Sequence, residues 1–130
     1  MPSNHEKVSP DAKVKKAVNS VYGKKTDPIY GYEVDTLEAD HIMPLKEITE
    51  QSGLDQLSFE DQKAIANLEE NFMGLGKQTN ASKGAKSISA WSGHSKLGAI
   101  AEEAQQFLNQ KDEAARAAIA KAISERLGKK

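Results

Sequence analysis

The sequence contains no cysteine among its 130 residues, and this absence excludes several kinds of site. Without thiols the chain can form no disulfide, no thiolate zinc centre and no cysteine nucleophile. The sequence also lacks any apolar run near the ~20 residues that a membrane-spanning helix requires. We therefore expect no membrane association, and the 38% hydrophobic and 28% charged residues predict one monomeric globular domain over residues 1–130.

Charge is distributed very unevenly along the chain. The net charge of −1 taken alone argues against a nucleic-acid partner, because binding to a polyanion relies on Lys and Arg. Residues 32–70 contain eleven acidic residues and two lysines, whereas residues 71–101 contain no acidic residue and four lysines. A charged run is usually a solvated surface, which is our interpretation of residues 47–61. The acid-free stretch is instead expected to face phosphates.

Apolar spacing and capping residues predict a helix-rich α+β fold. Three short helices are expected in the first half of the chain, over residues 10–22, 45–51 and 59–68. Ser58 precedes the last of them with Asp61 three residues on, a variant of the capping box. Residues 98–127 are amphipathic, and Asp112 is expected to cap the second of two helices there.

Two short segments are expected to form a small hairpin-like ribbon. Residues 32–43 are more extended than helical, and residues 71–75 form a short apolar stretch before a glycine-containing turn. So small a ribbon is stable only when it is buried against helices. Thr79 or Asn80 would then cap a helix running towards Trp91, whose indole is expected in the core rather than stacked on a nucleotide.

Three clusters stand out for their order and spacing. They read Glu-Ala-Asp-His-Ile-Met-Pro over residues 38–44, Glu-Asn-Phe-Met-Gly-Leu over residues 70–75 and Thr-Asn-Ala-Ser-Lys-Gly over residues 79–84. Asn71 and Asn80 are nine positions apart. Together the clusters resemble the signature of HNH nucleases (the ββα-metal or His-Me finger type). A narrower resemblance is to the nuclease toxin domains at the C-termini of Rhs and other polymorphic bacterial effectors.

The Asp-His pair has a chemical logic of its own. Magnesium prefers carboxylate and amide oxygens, and an unperturbed imidazole titrates near neutral pH, so Asp40 and His41 suit a metal ligand beside a base. Neighbouring side chains on a strand diverge, however. The two residues serve one site only if the chain bends after them, which the nearby Pro44 favours.

The resemblance implies a role for each matched residue. His41 would take a proton from water, Asp40 and Asn80 would hold one divalent cation, and Asn71 would orient the imidazole. Amide and carboxylate ligands favour magnesium, with manganese, zinc or nickel as alternatives. Paired cysteines near Gly76 stabilise some relatives, and this chain lacks them. Flanking helices over residues 10–22 and 98–127 would have to support a core motif over residues 32–92 instead.

Further residues are candidates around this site. Glu38 would support a metal ligand or replace one, although an isolated exposed carboxylate is the favoured interpretation. His94 would touch a phosphate or complete the shell of the cation. Phosphate contacts are expected from Lys77, Lys83 and Lys86, of which Lys83 occupies the Lys-Gly position of the family.

The sequence thus predicts a metal-dependent endonuclease that hydrolyses DNA without sequence preference, because no base-reading module is recognisable. The toxin resemblance implies a bacterial effector domain that a secretion system delivers into the cytoplasm of a target cell, and a cognate immunity protein. No apolar secretory signal is found at the N-terminus, so a longer parent chain or another export route is expected. Two alternatives stay open: a ribonuclease using the same site, and a non-catalytic helical module that binds nucleic acid or protein.

Overall fold

The computed structural model describes residues 12–20 and 23–128, and every structural statement below concerns these residues. The fold is α+β, with helices and three two-stranded antiparallel sheets. In chain order the elements are α1 (Ala12–Val18), β1 (Lys25–Thr26), β2 (Glu33–Val34), β3 (Glu38–His41), α2 (Leu45–Thr49), α3 (Phe59–Ala66), β4 (Phe72–Leu75), α4 (Lys77–Lys83), β5 (Gly93–His94), β6 (Gly98–Ala99) and α5 (Glu102–Leu127). None of these helices is both long and apolar enough to span a membrane.

The predicted ribbon is confirmed for residues 38–41 and 72–75, which form the antiparallel pair β3–β4, whereas residues 33–34 of the predicted strand form β2 and pair with β1. Glu38 pairs with Leu75 at one end, and His41 pairs with Phe72 at the other. Ser58 caps α3 as predicted, because its hydroxyl accepts a 3.1 Å hydrogen bond from the backbone N–H of Asp61. Local sequence patterns therefore identified this part of the fold correctly.

Helix α4 begins earlier and ends earlier than the sequence predicts. Gly76, and neither Thr79 nor Asn80, occupies the N-cap position. The backbone N–H of Gly76 donates to Oδ1 of the buried Asp27 (2.8 Å), and that of Thr79 donates to the hydroxyl of Tyr32 (3.0 Å). The free N–H groups at the start of the helix are thus satisfied by distant side chains, which local sequence cannot reveal.

The end of α4 is set by Gly84. This residue has φ +53°, a conformation that costs glycine little, and the helix stops there before reaching Trp91. Trp91 is 4% exposed, so its predicted place in the core is confirmed. Gly76 alone connects β4 to α4, and α4 packs against β3. The candidate site lies between this helix and this strand.

The predicted division of the C-terminal segment is wrong, because α5 is one continuous helix. Asp112 does not cap a second helix, since its carboxylate accepts hydrogen bonds from Nε of Arg116 one turn later (3.0 and 3.1 Å). No glycine or proline interrupts the segment, and alanine and charged residues propagate the helix through Asp112. Of the predicted helix over residues 10–22, the structure describes α1, while residues 10, 11, 21 and 22 lie outside the described residues.

Two hydrophobic clusters share α5 as a common wall. The first packs the ribbon and Trp91 against the N-terminal half of α5, through Leu108 and Ala115. The second packs α2 and α3 against the C-terminal half, through Ile119 and Ile123. The buried face of α5 therefore supports Ile42 and Met43, the two residues that directly follow β3.

Candidate functional site

Two side-chain bridges join β3 to α4. The Nδ2 amide of Asn80 donates a 2.7 Å hydrogen bond to Oε1 of Glu38, and Nζ of Lys83 lies 2.7 Å from Oδ2 of Asp40. Glu38 and Asp40 are two residues apart, so they share a face of the strand, and Asn80 and Lys83 are three apart, so they share a face of the helix. The structure therefore places the predicted ligands Asp40 and Asn80 in two separate bridges between the same strand and helix, and we call Glu38, Asp40, Asn80 and Lys83 the four-residue cluster.

Asp40 is a buried carboxylate in ionic contact with Lys83. It is 6% exposed, and Oδ2 accepts no hydrogen bond of good geometry from any described residue, despite its short ionic contact with Lys83. Burial raises the pKa of Asp40 to about 6, although the positive charge of Lys83 opposes the increase. An incompletely neutralised buried carboxylate is costly to the fold and is suited to binding a cation.

The structure corrects the role of Lys83. The sequence places its ammonium on a phosphate, but the side chain is fully buried, and Nζ also donates to the backbone carbonyl of His41 (3.1 Å). In this arrangement the ammonium cannot reach a bound nucleic acid. The sequence could not show this, because the face of α4 that meets Asp40 is decided by tertiary packing.

The imidazole of His41 has a defined tautomer. Its Nε2 lies 3.0 Å from the carbonyl oxygen of Ala66, which can only accept, so Nε2 carries the proton and Nδ1 of the neutral ring keeps a lone pair. Ala66 is the last residue of α3, where carbonyls lack donors from within the helix. The ring also packs against Phe72, with 4.3 Å between the ring centroids.

The environment of His41 favours its neutral form. Burial lowers the pKa of the imidazole, the hydrogen bond to Ala66 partly opposes this, and the charge of Lys83 lowers the pKa further. The same ammonium thus acts electrostatically on both His41 and Asp40. An imidazole that is neutral near pH 7 can accept a proton from water.

Asn71 holds the backbone and does not contact the imidazole, which corrects its predicted orienting contact. The fully buried amide accepts from the N–H of Met43 (2.7 Å) and donates to the carbonyl of Met43 (3.0 Å). The carbonyl of Asn71 also accepts from the N–H of Ile42 (2.8 Å). These contacts fix the bend that begins at Ile42, directly after His41. Asp40 and His41 themselves both lie within β3, where neighbouring side chains point to opposite faces.

His94 lies on β5, which packs against α4, and among the described residues its side chain has no hydrogen bond or ion pair with the four-residue cluster. Its Nδ1 accepts from the N–H groups of Lys96 (2.9 Å) and Leu97 (3.1 Å), so Nε2 of the neutral ring carries the proton. A protonated nitrogen cannot ligate a metal but can donate to a phosphate. The structure therefore argues against His94 as a metal ligand and leaves the predicted phosphate contact open. Lys77, the first residue of α4, and Lys86, three residues after the end of α4, are exposed.

Three residues of the site's support escaped the sequence analysis. Asp27 and Tyr32 fix the start of α4, and Ala66 holds His41 through a backbone carbonyl. The Asp27-Pro28 pair signalled only a loop, and a backbone acceptor leaves no mark in the sequence. These contacts connect segments far apart in the chain.

The donor set fits a hard cation. In the part of the chain that the structure describes, no three His, Asp or Glu side chains converge as a metal site. The candidate ligands are the carboxylate of Asp40, whose Oδ2 is in ionic contact with Lys83, and Oδ1 of Asn80, for which no hydrogen bond to a described residue is found. Carboxylate and amide oxygens with open positions for water are typical of magnesium sites. No protein-family model matches this chain, and neither a curated protein nor a solved structure matches it significantly.

Proposed function

We propose that this chain is a metal-dependent endonuclease of the HNH type that hydrolyses DNA, with β3, β4 and α4 as its ββα-metal core. The observation that carries the proposal is the buried Asp40, joined through α4 to Asn80 and followed directly by an imidazole with a free Nδ1. The motif predicted these residues, and their contacts support it. The cation would bind to Asp40 and Asn80.

In the proposed reaction His41 is the general base. Its Nδ1 takes a proton from a water molecule, while the carbonyl of Ala66 keeps the ring in position. A base so placed contributes roughly 10²–10⁴-fold to the rate. A divalent cation would supply charge neutralisation at the phosphate and the leaving oxygen. Asn71 holds the bend that presents His41 beside Asp40.

The proposed DNA-binding surface is the acid-free stretch around α4. Lys77, Lys86 and Lys96 are exposed there and can neutralise phosphates. Contacts between lysines and phosphates position the DNA backbone without reading the bases, which agrees with cleavage that lacks sequence preference. Delivery as a toxin domain of a larger effector, and neutralisation by a cognate immunity protein, are proposed on the motif resemblance alone.

The test is cleavage of supercoiled plasmid by the purified chain with magnesium, manganese or zinc, and with chelator. We expect nicking that requires metal and is lost in His41→Ala, with circular dichroism unchanged. Lys121→Ala, an exposed change on α5, is the control. Cleavage that persists in His41→Ala or in chelator overturns the proposal. A parallel digestion of RNA identifies a ribonuclease. If neither polymer is cleaved, the remaining hypothesis is the non-catalytic module that binds nucleic acid or protein.

A further inference from the structure

The ammonium of Lys83 lies where a cation bound to Asp40 would lie. Nζ is 2.7 Å from Oδ2 of Asp40 and 3.1 Å from the carbonyl oxygen of His41, and the side chain is fully buried. A magnesium ion would bind to the same carboxylate at about 2.0–2.1 Å. Two cations against one buried carboxylate repel each other strongly, because the interior screens charge weakly.

We propose that Lys83 is an internal competitor of the metal, which neutralises Asp40 in the metal-free protein and must leave the site when the cation binds. The inference rests on the proposed function, since it takes Asp40 as a metal ligand. It goes further by giving Lys83 a role in setting metal affinity. This role explains how the metal-free fold can bury the carboxylate of Asp40, because the ammonium of Lys83 supplies the compensating positive charge. The chain has no cysteines that could bind a structural zinc instead.

The arrangement of Lys83 suits displacement. It is the last residue of α4 and is followed by Gly84, so the end of the helix is one residue away. Four methylene groups separate its backbone from Nζ, and such a chain can extend to solvent while its stem stays packed. Removing the ammonium also frees the carbonyl oxygen of His41.

The direct test compares Lys83→Met with the exposed control Lys121→Met by calorimetric titration with magnesium and manganese. Methionine keeps the length of the side chain without its charge. We expect Lys83→Met to bind metal more tightly, on the order of tenfold, since the competing cation is gone. Its melting temperature without metal should fall and should rise more on metal addition than that of the wild type. Unchanged or weaker binding overturns the inference.

A second measurement uses the wild-type chain, in case Lys83→Met does not fold. Acetylation by an amine-selective reagent, mapped by mass spectrometry, should spare Lys83 without metal and modify it at saturating manganese. The exposed Lys77 and Lys86 should react equally in both states. Protection of Lys83 that persists with bound metal overturns the inference.

The outcomes separate this inference from the proposed function. If metal binds to the wild type and Asp40→Asn abolishes binding, the site stands, and an unaltered affinity in Lys83→Met then refutes only the competition. If no divalent metal binds to the wild type or to Lys83→Met, both ideas fail. If Lys83→Met loses DNA binding while its metal affinity is unchanged, the competition is refuted and the predicted contact of Lys83 with a phosphate is supported.

Discussion

Asn80 and Glu38 are joined by a 2.7 Å hydrogen bond from the Nδ2 amide to Oε1. Glu38 is an acceptor in this bond, so Nδ2 faces it and Oδ1 of Asn80 is directed elsewhere. Through this contact the exposed carboxylate of Glu38 selects which end of the amide is available to a cation. The pairing gives Glu38 a positioning role that its exposure alone would not suggest.

Glu38→Ala is expected to weaken metal binding with little effect on stability. Loss of a group that orients a ligand typically costs ~10–100-fold in metal affinity. Glu38→Gln keeps an acceptor and should have an intermediate effect. Calorimetric titration measures the affinity, and Glu60→Ala on the exposed side of α3 is the control. An affinity unchanged in Glu38→Ala would show that Asn80 needs no orientation.

Asn71→Ala is expected to destabilise the fold. The change leaves the buried N–H and carbonyl of Met43 without partners, at a cost of about 2–5 kcal/mol. Urea unfolding measures this loss, and Asn109→Ala, which alters an exposed amide on α5, should change stability by less than ~1 kcal/mol. Equal effects of the two changes would contradict the role of Asn71 in holding the bend.

The pH profile of cleavage should extend into the acid range. Burial lowers the pKa of His41 below its ordinary value of 6.5, and the charge of a bound cation, which takes the place of Lys83, acts in the same direction. A general base works when deprotonated, so the acid limb of kcat should have its midpoint below pH 6.5 at saturating metal. A midpoint at or above pH 6.5 would contradict the assignment.

Asp40 should make the metal-free protein less stable as the pH rises. Its pKa is about 6 in the fold against 3.8 for the ordinary group, so between these values the folded state holds more protons than the unfolded state. The contribution of Asp40 is therefore greatest below about pH 4 and is lost as the pH rises through 6, a change on the order of 3 kcal/mol.

The double variant Asp40→Asn/Lys83→Met removes this titration and keeps the other carboxylates. We expect the stability of the wild type relative to the variant to fall between pH 4 and pH 7, as measured by urea unfolding without metal. A difference that rises with pH over this interval would mean that Lys83 neutralises Asp40 more completely than its geometry indicates.

Sequence patterns predicted the parts of the fold that neighbouring residues determine. The cap at Ser58 and the two strands of the ribbon each follow from residues within a few positions. The start of α4 did not, because its N–H groups bond to Asp27 and Tyr32, more than forty residues away in the chain.

In the candidate site, too, the sequence predicted the residues but not the contacts that distant segments make with them. The motif identified Asp40 and Asn80, which the fold joins into one cluster through Glu38 and Lys83. It placed Lys83 on a phosphate, because a lysine in a basic stretch looks exposed until the packing of α4 buries it. Spacing can name the residues of a site, whereas the partner of each side chain depends on contacts between distant segments.

The central claim is that His41, Asp40 and Asn80 surround one cation, and paramagnetic broadening by manganese tests it most directly. Substoichiometric Mn²⁺ should broaden the NMR signals of the His41 ring and the Asn80 side-chain amide together, and Asp40→Ala should abolish both effects. If either signal stays sharp while the other broadens, the three residues do not share an ion and the account is wrong.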